Sequence, residues 1–121
     1  MSLDVYLHIE KGTEDCPHCA QPYAAGETVF DANITHNLSK MASEAGIYEA
    51  LWRPDEVGIM KAAQLIAPLA EGLAKMKADR EHFEKFNSPN GWGMYENFVP
   101  WVERYLKACT EYPEAYVTVS R

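Results

Sequence analysis

Apolar and polar residues alternate over Leu3-Asp4-Val5-Tyr6-Leu7-His8-Ile9-Glu10, the period-two pattern of a half-buried β-strand. Lys11 to Gly26 carries glycines, prolines and a Cys-Pro-His-Cys turn, and Thr28-Val29-Phe30 is again β-prone. Together these segments predict a hairpin with the cysteine loop, about residues 11–26, at its tip. The period then changes. Ile34, Leu38, Met41, Ala42 and Ala45 share one helical face, with Asn33 or Thr35 as N-cap and Gly46 as the left-handed closing residue. Ile47 to Trp52 reads as a further short turn ended by Arg53-Pro54. Asp55 and Glu56, directly after the proline, resemble the acidic first turn of another helix.

From Ile59 to about Lys77, Ala62, Leu65, Ile66, Leu69, Leu73 and Met76 keep helical spacing, with Pro68 expected to kink the helix. Asp79 to Phe86 predicts a short helix, and Asn87 to Gly93 a turn-rich loop. Tyr95, Phe98, Val102, Tyr105, Leu106 and Cys109 mark a last helix, with Pro100 as a bend, and Ala115 to Ser120 alternates as a strand. No internal repeat, linker or low-complexity segment divides the chain, so residues 1–121 are expected to form a single domain. The order of elements predicts an α+β fold. A small antiparallel sheet would draw on both chain ends, with about three to four helices packed on one face.

Composition narrows the function classes. Apolar residues make up 47% and charged residues 24%, the balance of a folded domain and not of a disordered chain. Eleven basic against eighteen acidic residues give a formal charge of −7, which disfavours non-specific nucleic-acid binding and suits a basic partner protein. The start MSLDVYLHIEKG lacks the basic and apolar runs of a signal peptide, and no stretch approaches the ~18 apolar residues of a membrane span. Three cysteines, an odd number, fit a reducing compartment. A cytoplasmic protein without a membrane partner is expected.

Cys16-Pro17-His18-Cys19 is half of a zinc knuckle, since two thiolates on a tight turn can hold one side of a tetrahedral ion. Cys109 is far along the chain, so His8, His18, His36 or His82 would have to complete the ligand set, or a two-fold homodimer would have to supply a second knuckle. Zinc here would be structural. The same pair is open to a redox reading and to that of an uncommitted loop.

The densest chemistry lies in Asp31 to Pro54. Asn33, His36 and Asn37 crowd one expected helix start, where His36 could meet a ligand or only satisfy neighbouring backbone. Tyr48, Trp52 and Arg53 could form an aromatic shelf with a planar cation, or one buried helical face with Arg53 paired to Glu49. Asn90, Trp92 and Tyr95 belong to a late segment in which two glycines flank the tryptophan, as a stacking platform or as a plug for the core. No nucleophile elbow, phosphate loop or paired-carboxylate motif appears.

The motifs Ala32-Asn33-Ile34-Thr35-His36-Asn37-Leu38, Glu44-Ala45-Gly46-Ile47-Tyr48-Glu49 and Leu51-Trp52-Arg53-Pro54 resemble a family of short uncharacterised proteins encoded by bacteriophages and prophages. Asn90-Gly91-Trp92-Gly93-x-Tyr95-Glu96, Tyr112-Pro113 and Val117-x-Val119-Ser120-Arg121 extend the resemblance, as does the start MSLDVYL. It implies a phage context, hence a host-directed or anti-defence role, and brings no mechanism. The expectation is therefore a non-catalytic binding protein for a nucleotide-like small ligand or a host protein. Its site would gather Asn33, His36, Asn37, Tyr48, Trp52, Arg53, Asn90, Trp92 and Tyr95. The competing class is a small enzyme with His36 as general acid–base and Arg53 holding an anionic substrate.

Overall fold

Alternation decides the first element. A computed structural model, which describes residues 2–10, 26–87, 91 and 93–120, places Ser2–Glu10 in strand β1 with Leu3, Val5 and Leu7 fully buried. Asp4, Tyr6 and His8 point to the other face and stay partly exposed, as a period of two requires. Strand β2, Gly26–Thr35, pairs antiparallel with β1, with Leu3 opposite Ile34 and Asp4 opposite Asn33. The register shifts between Leu7 and His8, the mark of a bulge. Strand β3, Tyr116–Ser120, returns to the other side of β1, so the order is β2-β1-β3. The α+β fold and the antiparallel sheet built from both chain ends are as expected.

Five α-helices lie among the described residues: α1, Ser39–Glu44; α2, Tyr48–Trp52; α3, Ala63–Ala78; α4, Arg80–Glu84; and α5, Tyr95–Glu111. Two 3-10 turns, His36–Leu38 and Pro54–Val57, join them. The expected number was smaller because the chain between Asp31 and Pro54 breaks into short pieces. Gly46 closes α1 at φ 79°, the left-handed value expected there.

The largest departure concerns Asn33. It was expected at a helix start, yet β2 continues through Thr35, and the first helical turn begins at His36. The ladder with β1 captures these residues: Asn33 lies opposite Asp4, and its Nδ2 donates to Asp4 Oδ1 at 2.7 Å and to Ser2 Oγ at 2.9 Å. The cap falls to Thr35, whose Oγ1 accepts from the Asn37 N–H at 3.3 Å.

Helix α3 likewise starts at Ala63 and not at Ile59. Here Lys61 bridges to Tyr116, and the Met60 carbonyl accepts from Val117 N at 2.9 Å, so the segment serves the sheet first. Gln64 Oε1 then accepts from the Met60 and Lys61 N–H groups at 2.8 and 3.0 Å, which lets the chain turn into the helix. Both α3 and α5 run on through their prolines, Pro68 and Pro100.

The core sits between the sheet and the helices. Leu65, Leu69, Leu73 and Met76 of α3 meet Phe98, Val102, Tyr105 and Cys109 of α5 over Leu3, Val5 and Leu7. Gly72 provides the close approach of α3 to the turn after α1, where a Cβ would stand 2.4 Å from Ile47 Cγ2. No helix among the described residues is long and apolar enough to cross a membrane.

Candidate functional site

The end of β2, the turn that follows it and the first part of α5 line a cleft of about 1080 Å³. One wall is the strand end and the turn that follows it, Asn33 to Leu38, with Ser2 beside them. The other is a single face of α5, which carries Glu96, Asn97, Pro100, Trp101 and Arg104 at helical spacing. Gly91 and Gly93 form part of the rim.

Local chemistry explains why the cleft stays open. Trp101 is buried, and its Nε1 donates to the Asn33 carbonyl at 3.0 Å, pinning α5 to the end of β2. Gly93 has a φ of 112° and packs so closely on Asn37 that a Cβ would lie 2.9 Å from Asn37 Cβ. Only glycine meets both conditions. Apolar groups of Ile34, Leu38, Pro100 and Trp101 form the floor, and carboxamides and charges stand around it.

Charge in the cleft is of both signs. Arg104 and Glu96 are exposed, and neither makes an ion pair or side-chain hydrogen bond with another described residue. The Asn97 side chain is also exposed and unengaged among the described residues. Asn33 spends both amide hydrogens on Ser2 and Asp4, which leaves its Oδ1 as an acceptor. The hydroxyls lining the cleft are those of Ser2 and Thr35. Each accepts from an amide, Ser2 Oγ from Asn33 Nδ2 and Thr35 Oγ1 from the Asn37 N–H.

Three of the residues singled out in the sequence, Asn33, His36 and Asn37, meet in this cleft. His36 does so edgewise. Its Nε2 is buried and has no hydrogen-bond partner among the described residues, and its ring stands edge-on to Trp52 with centroids 6.1 Å apart.

Tyr48, Trp52 and Arg53 form a separate cluster outside the cleft lining. Trp52 is 2% exposed and stacks on Tyr48 at 5.5 Å, so the helical-face reading describes this pair. Arg53 was expected to pair with Glu49 or to hold a substrate. It donates from Nε to Tyr48 Oη at 3.3 Å and from Nη1 to Glu56 at 2.6 Å, and these partners hold its guanidinium well above the usual range. Tyr95 is 6% exposed and faces the core. Its hydroxyl donates to the Met76 carbonyl at 2.8 Å, which ties α5 to the end of α3.

Asn90 and Trp92 lie outside the described residues, as do Cys16, His18 and Cys19. Among the described residues no group of three or more His, Cys, Asp or Glu side chains is placed to hold a metal ion. Of the histidines considered as further zinc ligands, His8 bonds to Thr118 and Thr28 at 2.7 and 2.9 Å, and His82 to Glu44 at 2.9 Å. Cys109 is fully buried in α5, and burial pushes its thiol up to about 12.

Sequence reading missed Ser2, Glu96, Asn97, Pro100, Trp101 and Arg104. The α5 members recur at intervals of four, beside the apolar stripe, and that was their available signal. It resembles the solvated face of any amphipathic helix. Compared with known proteins, the chain matches no family model, no curated protein and no solved structure.

Proposed function

We propose that this protein is a phage-derived, non-catalytic binding module acting in the host cytoplasm, and that its ligand lies in the cleft between the end of β2 and α5. The observation that carries this reading is the gathering of Asn33, Asn37, Asn97, Glu96 and Arg104 around an apolar floor, with the two charges unpaired among the described residues. Such a mixture of apolar surface and a few convergent polar groups is what a recognition site needs. Against His36 as a general acid–base stands its turned-in Nε2, which is buried and so out of reach of a substrate proton.

Of the two occupants considered, a host protein is favoured over a nucleotide-like ligand. Arg104 is the one cation lining the cleft among the described residues, and Glu96 opposes it, so a polyphosphate would meet no net positive field. In phage infection such a partner would be a host or defence component. Cys16 and Cys19 keep the proposal of a structural zinc pair on their spacing alone.

The test combines binding with turnover. Protein recovered from cell lysate is examined by native mass spectrometry, and defined peptides and nucleoside monophosphates are then titrated while amide resonances are followed. We expect shifts confined to Asn33–Leu38 and the first half of α5, with every probe recovered chemically unchanged. A probe consumed by the wild type but only bound by His36→Gln would reverse the assignment in favour of an enzyme.

A further inference from the structure

The helices pack on one side of the sheet, and the other side carries a second set of side chains. Because these alternate along each strand, Asp4, Tyr6 and His8 of β1 share the outer side with Asp31 of β2 and Thr118 of β3, both directly opposite Tyr6. Asp31, Asn33, Thr118 and Ser120 are exposed there, so no helix lies over them.

The centre of this face is rigidly built. His8 meets Thr28 Oγ1 through Nδ1 at 2.9 Å and Thr118 Oγ1 through Nε2 at 2.7 Å. A hydroxyl can donate or accept, so both contacts survive in either protonation state of the ring. His8 is thereby fixed, and Tyr6 stacks on it with centroids 5.9 Å apart and planes 24° from parallel. Tyr6 in turn has Asp31 across the ladder and Asp4 two residues before it on the same side. Asp31 makes no ion pair or side-chain hydrogen bond with another described residue, and Asp4 accepts only from the Asn33 amide. The three strands contain no Lys or Arg, so nothing in the sheet balances the two carboxylates.

The same face shows what such a group accepts. On β3, Lys61 Nζ stands over the Tyr116 ring, 5.5 Å from its centroid, and pairs with Glu114 at 3.2 Å. A tyrosine ring beside a carboxylate there holds a cation from within the chain. Tyr6 has the ring and two carboxylates, with no cation on them among the described residues.

We propose that this outer sheet face is a second binding surface, separate from the cleft, for a basic segment of a partner protein. An Arg or Lys of that segment lies on the Tyr6 ring between Asp4 and Asp31, where ring and carboxylates attract it together. Nucleic acid would bring its phosphates against those acids, and a second copy of this chain would bring the same acids.

The test titrates the full chain with acetyl-Gly-Arg-Gly-Arg-Gly-amide, and with the same peptide carrying citrulline, which keeps the planar shape and removes the charge. Amide shifts should move at Asp4, Tyr6, Asp31 and Thr118 and stay still at Asn97 and Arg104. Citrulline should weaken binding roughly tenfold, and Asp31→Asn and Tyr6→Thr should each weaken the arginine peptide about twofold to fivefold. Threonine keeps a β-branched residue in the strand, and Asp31→Asn carries the test if Tyr6→Thr fails to fold.

Equal weakening by Glu71→Gln, an exposed acid on α3, would show that net charge alone attracts the peptide and would overturn the proposal. Shifts at Asn97 and Arg104 in place of the sheet, equal affinity for the citrulline peptide, or no shift at either place would do the same.

Discussion

Gly72→Ala pits helix propensity against packing at one atom. Gly72 is buried within α3, and alanine at an interior helix position is favoured over glycine by about 1 kcal/mol. The added Cβ, however, would stand 2.4 Å from Ile47 Cγ2, 3.3 Å from Ile47 Cδ1 and 3.5 Å from the Ala45 carbonyl. Comfortable carbon–carbon separations are about 3.5–4.0 Å, so the overlap exceeds an ångström. Cγ2 hangs directly on Cβ of a β-branched, fully buried side chain and cannot yield unless the whole rotamer turns. Overpacking of this kind costs about 1–3 kcal/mol, which outweighs the propensity gain.

We expect Gly72→Ala to lower stability by about 1–2 kcal/mol, seen in urea titration as a lower midpoint with an unchanged slope. The second arm isolates the cause. Ile47→Ala alone should cost about 2–5 kcal/mol. In that background Gly72→Ala should become neutral or stabilising, a coupling of about 1–3 kcal/mol between the two sites. A wild-type background stabilised by Gly72→Ala, or additive effects, would refute the reasoning.

Further outcomes follow from the same geometry. Gly93→Ala should cost about 1–3 kcal/mol, from its left-handed φ and its approach to Asn37, and should also displace that wall; an unchanged melting temperature would count against the close approach. Tyr105→Phe should raise stability by about 1 kcal/mol, because the buried hydroxyl has no partner among the described residues while the ring keeps its stack on Phe30; a loss on denaturation would mean that the hydroxyl is satisfied. Burial raises the Cys109 thiol from 9.0 to about 12, so the folded state holds its proton where the unfolded chain releases it. That contribution is fully present below about pH 9 and is lost as pH rises toward 12. Cys109→Ala should therefore flatten the alkaline fall in unfolding free energy, and parallel curves for the two proteins would contradict the assignment. Protein purified without chelator should carry zinc that Cys16→Ser removes, and elemental analysis without zinc would end the knuckle proposal.

Periodicity alone determined much of this protein. Alternation at Leu3, Val5 and Leu7 marked the central strand, and the stripes of α3 and α5 marked the helix faces that meet over it, because an apolar face must be buried whatever covers it. Gly46 was legible for a local reason, since a helix end favours a left-handed residue. The candidate site was legible only in part. Asn33, His36 and Asn37 were conspicuous, but nothing in a polar helix face tells which strand will lie across from it. The partnership of residues 33–38 with 96–104 was decided by where α5 crosses the end of β2. Tertiary structure also moved Asn33 from a helix cap into a strand, through its pairing with Asp4, and turned Trp52 inward while Trp101 reached the cleft. Local sequence states which surface must be hidden, whereas the approach of distant segments decides which polar groups come to share a space.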